Sequence, residues 1–155
     1  MRKISIFLGL ALVIVSMSSC CIYQKIKFSN KDIQISNACE GETLDFKLIS
    51  LIGDKEEQTM TLNCRLINRD INRNITVGSN LIAYDTEGVK HSSTRGTEYR
   101  VKTDEKLKFS INIPGQVIPK KVKKMAVISF DIDDCHIEIK NVPIMWMKIK
   151  KEEKK

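Results

Sequence analysis

Apolar and polar residues alternate with a period of two along most of the chain between residues 32 and 147. The alternation is clearest in TLDFKL, TMTLNCRLIN, KLKFSINI and CHIEIK, where apolar side chains recur at every second position. In an extended chain this period places apolar side chains on one face and polar side chains on the other, which is typical of half-buried β-strands. The pattern therefore predicts a β-rich domain.

Turn signals divide this region into short segments. GDKEE at residues 53–57 separates two alternating runs, which predicts a hairpin. DTEG at 85–88 predicts a reverse turn with glycine at its last position, and Asp133–Asp134 predicts a tight turn. Pro114 ends one run, and Pro143 falls early in a final short edge strand, NVPIMWM. About seven to nine short strands with no helical period between them predict an antiparallel sandwich of two sheets.

The stretch from Val89 to Glu105 is polar and weakly patterned, and only Tyr99 and Val101 indicate a brief strand. We therefore expect it to form the longest exposed loop. Binding residues concentrate on loops that a rigid scaffold presents. The candidate binding surface consists of aromatic and arginine side chains in or near this loop: Tyr84, Arg95, Tyr99 and Arg100.

The N-terminus has the order of an export signal, with Arg2 and Lys3 ahead of an uncharged apolar run from Ile4 to Met17. The run has 14 residues, whereas a helix that spans the hydrocarbon core needs about 20. We therefore predict a signal helix. An uncleaved anchor and an ordinary secreted protein are the alternatives.

Ser18 and Ser19 precede Cys20, which resembles the lipobox of bacterial lipoproteins, although Met17 stands where that family usually has leucine. The resemblance implies cleavage before Cys20, attachment of diacylglycerol to its sulfur, and a membrane anchor of acyl chains such as palmitate. Cys21 is then an incidental neighbour unless it pairs with one of the three cysteines further along the chain. The mature chain would have 155 − 19 = 136 residues, which suits one domain.

This reading divides the chain into four parts: a signal peptide (1–19), a lipid-anchored tether (20–31), the β-sandwich domain (32–147) and a charged tail (148–155). It places the protein in the bacterial cell envelope. The inner and the outer membrane, and the periplasmic and the surface face, are all compatible with the sequence.

The formal net charge of +7 does not indicate a nucleic-acid-binding protein. Loss of Arg2 and Lys3 leaves 7 − 2 = +5, and the tail KIKKEEKK holds +3 of that, so the body carries about +2. Aromatic residues are few and are not interleaved with the basic runs, so a stacking platform for bases is not predicted.

Three cysteines downstream, Cys39, Cys64 and Cys135, fall on positions that the alternation turns inward. In an oxidising envelope Cys64 and Cys135 could form a disulfide between an early and a late strand. The sequence does not fix the pairing, and buried free cysteines that pack as small apolar residues are the alternative.

Metal binding and catalysis are not indicated. His91 and His136 do not have the spacing of a zinc site, and DIDD at 131–134 lacks the Asx and glycine pattern of a calcium loop. Ser92 or Ser93 could join His91 in a catalytic set, but the strand-turn-helix context of a nucleophilic serine is missing. We therefore expect no metal, no cofactor and no enzymatic activity.

Four segments, LNCRLINRDINRN, LIAYDTEG, LKFSINIPG and NVPIMW, resemble in order and spacing an uncharacterised group of Bacteroidetes-type envelope lipoproteins. The resemblance covers about residues 44–147 and implies an immunoglobulin-like β-sandwich without catalytic residues. The Cys-Trp-Cys order of a true immunoglobulin domain is absent, because Trp146 follows the cysteines.

The function expected from these features is that of a non-catalytic binding or assembly module, anchored through lipid, with a protein or glycan partner. The alternative is an accessory structural subunit whose exposed strand pairs with a larger envelope complex.

Overall fold

The computed structural model describes residues 32–38, 43–114, 118 and 121–149. The predicted signal helix and tether, together with Cys20, Cys21 and Cys39, lie outside these residues. The described part contains ten strands and no helix, and so it contains no helix able to span a membrane. The strands are β1 (Gln34–Asn37), β2 (Leu44–Asp54), β3 (Met60–Asn68), β4 (Arg73–Asp85), β5 (Lys90–Ser93), β6 (Thr97–Val101), β7 (Lys106–Ile113), β8 (Lys124–Ile132), β9 (Cys135–Pro143) and β10 (Met145–Met147).

The ten strands form two sheets that pack as a β-sandwich, which confirms the predicted all-β class. Sheet A has the order β1-β9-β8-β4-β5, and β6 also pairs with β4. Sheet B has the order β10-β2-β3-β7. Every described pairing is antiparallel except that of β10 with β2, which is parallel. The prediction of a wholly antiparallel sandwich is therefore wrong at this one edge.

The parallel pair arises because the chain changes sheets at Pro143. This residue ends β9 in sheet A, and three residues of β10 then join sheet B. Proline has no N–H to continue a ladder, so β9 stops there. The sequence NVPIMWM, predicted as a single edge strand, is thus divided between two sheets.

The core lies between the sheets and contains the apolar positions that the alternation turned inward. Leu62 and Leu66 of β3 are buried, as are Ile111 of β7 and Ile137 of β9. The ring of the fully buried Phe130 and that of the partly buried Phe46 meet edge to face between the two sheets, with centroids 5.9 Å apart. The predicted inward parity of these strands is therefore confirmed.

A bulge in β2 explains one break in the alternation. The pairing of β2 with β3 shifts register between Leu48 and Ser50. A bulge inserts one extra residue, which moves the following side chains to the opposite face. Leu51, which the parity of Leu48 would turn outward, is accordingly fully buried, whereas Ile49 at the bulge is 41% exposed.

The long loop predicted between Val89 and Glu105 is wrong in most of its length. Two strands, β5 and β6, lie here and pair side by side with the two halves of β4. The brief strand predicted at Tyr99 and Val101 is confirmed as part of β6. Short edge strands keep polar side chains, which protect a sheet edge but weaken the apolar period on which strand prediction depends.

The sequence motifs have structural roles in this fold. The buried Asn68 side chain donates to the backbone carbonyls of Asp70, Ile71 and Lys102, at 3.3, 2.9 and 3.4 Å. The predicted DTEG turn is confirmed, because Asp85 Oδ1 accepts the N–H groups of Glu87 (2.8 Å) and Val89 (3.0 Å). These contacts close two turns and give both buried side chains structural roles.

Candidate functional site

A kink in the middle of β4 shapes one edge of sheet A. Gly78 and Asn80 both have positive φ, at 80° and 51°, and the register with β8 shifts on both sides of Ser79. On the opposite side of β4, β6 pairs with residues 73–77 and β5 with residues 81–84. Residues 78–80 therefore form a notch between the two edge strands.

The notch opens into a cleft of about 200 Å³ between this edge and β7 of sheet B. Its floor is mainly apolar and comprises Val77, Gly78, Leu81, Phe109 and Ile111. Its rim is polar and comprises Ser93, Arg95, Thr97, Tyr99, Ser110 and Asn112. We call this site the Arg95 cleft.

Gly78 is required where the floor of the Arg95 cleft meets the opposite sheet. A Cβ atom at this position would lie 3.2 Å from Ile111 Cδ1, and the positive φ disfavours any other residue. The same glycine therefore permits the kink and the close approach of β7.

A second, more open hollow of about 510 Å³ adjoins the Arg95 cleft. It shares Leu81, Ser93 and Arg95 with the cleft and adds the side chain of Lys90. Arg95 lies between the two hollows, and its backbone N–H donates to Ser93 Oγ at 3.3 Å. A ligand unit in the cleft could therefore continue across the Arg95 side chain into the second hollow.

The described residues that line the two hollows include arginine and lysine but no aspartate or glutamate, so the charge of this surface is positive. Among the described residues, the Arg95 guanidinium and the Lys90 ammonium have no hydrogen-bond or ion-pair partner. Asn112 accepts from Thr61 through Oδ1 at 3.0 Å, which leaves its N–H₂ group to donate. The arrangement is suited to an anionic group on a small polar unit.

The structure brings together only two of the four residues predicted to form a binding surface. Arg95 and Tyr99 line the Arg95 cleft. Tyr84 is opposite Lys90 and Val127, where its side chain is exposed on the outer face of sheet A. Arg100 lines a separate hollow near Asn74.

The sequence prediction missed Ser110 and Asn112, which belong to a different sheet from Arg95. Both read as outward positions of a regular strand, and no local pattern shows that this strand faces the edge of sheet A. One signal was present, because Gly-Ser-Asn at 78–80 interrupts an otherwise clear strand, which is typical of a bulge or a close backbone approach.

The predicted disulfide between Cys64 and Cys135 is wrong. Cys64 is a free, buried cysteine, and burial raises the pKa of its thiol. Cys135 is disulfide-bonded. Cys64 is opposite Leu48 and Phe109 in the middle of sheet B, whereas Cys135 begins β9 beside the Asp133–Asp134 turn. Inward parity turns both side chains towards the core, but it does not bring the two residues to the same position along the strands.

His91 is inside the sandwich and only 2% exposed. Its Nε2 lies 3.9 Å from Asp85 Oδ2. Three buried atoms, Asp85 Oδ2 and both ring nitrogens of His91, have no hydrogen-bond partner in the described part of the chain. Ser92 is exposed on the other side of β5. His91 therefore does not have the serine–histidine hydrogen bond on which a catalytic set depends.

The DIDD segment forms a hydrogen-bonded turn. Asp131 contacts His136 Nδ1 through Oδ1 at 2.8 Å and accepts from Asn80 Nδ2 through Oδ2 at 2.7 Å. Partial burial raises the pKa of Asp131, but the hydrogen bonds from Asn80 and His136 and the charge of His136 hold it below its usual value overall. Asp133 caps the turn by accepting the N–H of Thr76 at 2.7 Å. Within the described ranges, no three His, Cys, Asp or Glu side chains group as metal ligands.

The lowered pKa of Asp131 predicts a pH-dependent contribution to stability. The contribution is present well above the ordinary value of 3.8 and is lost as the pH falls through the lower value of the folded protein. Asp131→Asn should therefore lower the urea midpoint at pH 7 and have a progressively smaller effect in acid. Asp134→Asn, at an exposed turn position, serves as the control. Equal midpoints for wild type and Asp131→Asn at pH 7 would refute the contribution.

Comparison of the chain with family models, with curated proteins and with solved structures gave no match. A function for this chain therefore has to be argued from its own contacts and charges. The Arg95 cleft is the surface on which unpaired donors, positive charge and an apolar floor occur together.

Proposed function

We propose that this chain is a lipid-anchored protein of the bacterial cell envelope that binds a ligand without chemical conversion. In this proposal it belongs with the Bacteroidetes-type envelope lipoproteins, and its domain is immunoglobulin-like. The apolar run from Ile4 to Met17 and the small residues before Cys20 support the anchor. The two facing, mostly antiparallel sheets support the domain type.

The Arg95 cleft is the observation that carries the binding proposal. A guanidinium without a partner in the described residues is held at its rim. A hydrogen bond to a charged group contributes about 1.5–3 kcal/mol. The single arginine is therefore able to dominate recognition of an anionic group.

The size of the cleft limits what enters it. Sites for drug-sized ligands usually have about 300–1,000 Å³, whereas the Arg95 cleft has about 200 Å³. It fits one unit of a longer ligand, such as an acidic sugar or an acidic side chain. The neighbouring hollow beside Lys90 would contact the next unit.

The accessory-subunit alternative depends on a sheet edge that pairs with another chain. β7 is the outer strand of sheet B opposite β10, and its Lys106 and Lys108 are exposed. Lysines on an edge strand oppose pairing with another strand. Ligand binding in the Arg95 cleft therefore has better support than strand pairing at β7. Recovery of a stoichiometric protein partner from detergent-solubilised envelope would favour the accessory-subunit alternative instead.

Arg95→Gln is expected to weaken binding of an anionic ligand about 10- to 100-fold, because it removes the charge while keeping a polar side chain. Calorimetric titration with oligogalacturonate and with a glutamate-rich peptide would show which ligand class binds. Wild-type affinity should fall at high salt, since exposed charges are screened.

Arg100→Gln is the matched control for this test. Arg100 is exposed, as Arg95 is, but it lies on β6 and lines a different hollow. Its affinity should stay within about twofold of wild type. Equal losses for the two variants would contradict binding in the Arg95 cleft.

The anchor is tested separately by uptake of radiolabelled palmitate. Wild type and Cys21→Ala should take up label, and Cys20→Ala should not. An unlabelled wild-type protein would contradict the lipoprotein assignment and leave the cleft proposal intact.

A further inference from the structure

We infer that the outer face of sheet B binds an acidic polysaccharide through three cations that form a row across the sheet. Lys47 on β2 is directly opposite Arg65 on β3, and Arg65 is directly opposite Lys108 on β7. The residues that follow Arg65 and Lys108 in the sequence are buried in the core, so the three cations lie on the other face of the sheet. We call Lys47, Arg65 and Lys108 the basic row.

No acidic side chain neutralises the basic row. Among the described residues, none of its three side chains has a hydrogen-bond or ion-pair partner. Asp45 lies two positions before Lys47, but its carboxylate is 3.9 Å from the Arg69 guanidinium. Like charges directly opposite one another destabilise a sheet. The basic row therefore lowers the stability of the free domain, and a bound polyanion would remove that cost.

Polar side chains elsewhere on the two outer faces satisfy one another. In the next row of sheet B, Asn63 donates to Ser50 Oγ at 3.1 Å and accepts from Ser110 Oγ at 2.7 Å. On the outer face of sheet A, Lys140 forms an ion pair with Glu138 at 3.0 Å. The unpaired charges of the basic row therefore do not follow from a general lack of partners on these faces.

The geometry of the basic row favours an extended polyanion over a small anion. Neighbouring strands are about 4.8 Å apart, so the row extends across about 10 Å of the sheet. Its side chains line none of the three hollows described above. An anion bound to them would stay in contact with water, where a single ion pair contributes little. Several charges linked in one chain are therefore needed for useful affinity.

The surroundings of the basic row favour a polysaccharide over a protein. Ser110 and Asn112, further along β7, are exposed and offer hydroxyl and amide groups on the same face. Strands β2, β3 and β7 contain no tyrosine or tryptophan, whereas protein interfaces are rich in aromatic residues and poor in lysine. Neutral hydrogen-bonding groups beside cations match a chain that carries both hydroxyl groups and negative charges.

The basic row is contiguous with the Arg95 cleft. Ser110 lies on the rim of that cleft and is two residues from Lys108, or about 7 Å along β7. A long chain could therefore contact both surfaces. The basic row does not need the cleft in order to bind, so this inference goes beyond the function proposed above.

Titration of the full-length purified protein with polygalacturonate tests the inference, and the fully methyl-esterified polymer is the uncharged control ligand. Wild type should bind the acid form at least tenfold more tightly than the ester. The combined variant Lys47→Gln, Arg65→Gln and Lys108→Gln should bind the acid form about 10- to 100-fold more weakly than wild type, because three exposed ion pairs are lost. Its affinity should also depend less steeply on salt.

The control protein combines Arg100→Gln, Lys124→Gln and Lys140→Gln. It makes the same change in net charge at exposed positions of sheet A, and its affinity should stay within about threefold of wild type. Equal losses in the two triple variants would overturn the inference, because net charge alone would then explain binding. Tighter binding of polyglutamate or of phosphatidylglycerol vesicles than of polygalacturonate would overturn the polysaccharide assignment.

Arg95→Gln separates this inference from the proposed function. A loss of affinity in Arg95→Gln with none in the variant of the basic row would overturn the inference and leave the Arg95 cleft intact. The reverse result would support the basic row and count against the cleft.

Thermal unfolding distinguishes lost binding from lost folding. Polygalacturonate should raise the unfolding midpoint of wild type, because it binds the folded state, and should leave that of the basic-row variant unchanged. Without polymer and at low salt, the variant should unfold at or above the wild-type midpoint, since the repulsion between like charges is gone. A midpoint below that of wild type would contradict the repulsion from which the binding surface is inferred.

Discussion

Phe130→Ala is expected to lower the free energy of unfolding by about 4 kcal/mol, because the substitution leaves a cavity at the centre of the sandwich. The Phe130 side chain is fully buried on β8. Its ring meets Phe46 of the opposite sheet edge to face, so truncation removes both apolar burial and an inter-sheet aromatic contact. Chemical denaturation at pH 7, analysed by linear extrapolation, measures the loss.

Ile49→Ala is the control, because Ile49 lies at the bulge in β2 with its side chain turned outward and is 41% exposed. Its loss should stay below about 1 kcal/mol, since little buried surface is removed. A double-mutant cycle with Phe46→Ala should give a coupling of about 1 kcal/mol for the aromatic pair. Equal losses for Phe130→Ala and Ile49→Ala would mean that the two sheets do not pack as described.

The contrast between these two residues shows what an alternating sequence can predict. Phe130 has the same parity as Ile128 and Ile132, and all three are buried. The period of two follows from the extended backbone alone, so the sequence predicts which side chains are buried wherever a strand is regular. At the bulge the backbone departs from that geometry, so the parity of Leu44, Phe46 and Leu48 predicts the exposure of Ile49 but not the burial of Leu51.

Topology was less predictable for a related reason. Strand β6 has one buried residue, Val101, and β5 has one, His91, which is polar. Hydrogen bonds to β4 hold both strands in place, and side-chain patterns do not report those bonds directly. The polar stretch therefore reads as a loop although it forms the edge of a sheet.

The candidate site likewise includes residues that a local sequence pattern could predict and residues that only the folded structure brings together. Arg95 and Tyr99 could be selected because polar and aromatic residues occur together in a stretch without strong core positions. Asn112 could not, because its role depends on which edges of the two sheets meet. That meeting follows from the kink at Gly78 and the order of the strands, which are properties of the assembled sandwich.

The cysteines illustrate how far register improves on parity. Parity allowed Cys64, Cys135 and Cys39 to pair in any combination. Register separates Cys64, which is opposite Leu48 and Phe109 in sheet B, from Cys135, which begins β9 in sheet A. Face alone gives a set of candidates, and register along the strands removes the pair of Cys64 with Cys135.

Gly53→Ala is expected to destabilise the fold by about 3 kcal/mol, the upper end of the usual range for overpacking. Gly53 is on β2 opposite Trp146 of β10. A Cβ atom there would overlap Cε3 of the indole ring, so the ring would have to move. The indole is also held by a hydrogen bond, because Trp146 Nε1 donates to the Val122 carbonyl at 2.7 Å. Relief of the clash therefore breaks this hydrogen bond or detaches β10.

Fluorescence reports the same event, because Trp146 is the single tryptophan of the chain. Its emission should shift to longer wavelength in Gly53→Ala as the ring becomes more exposed. Gly88→Ala is the control for emission: its φ of 81° makes alanine strained in the DTEG turn, but no atom lies within 4 Å of the added Cβ, so the indole emission should be unchanged. Trp146→Leu in the Gly53→Ala background should restore part of the lost stability, because it removes the group with which the methyl collides. Unchanged emission and denaturation midpoint in Gly53→Ala would mean that the indole does not pack on Gly53 and that β10 is not fixed to sheet B by this contact.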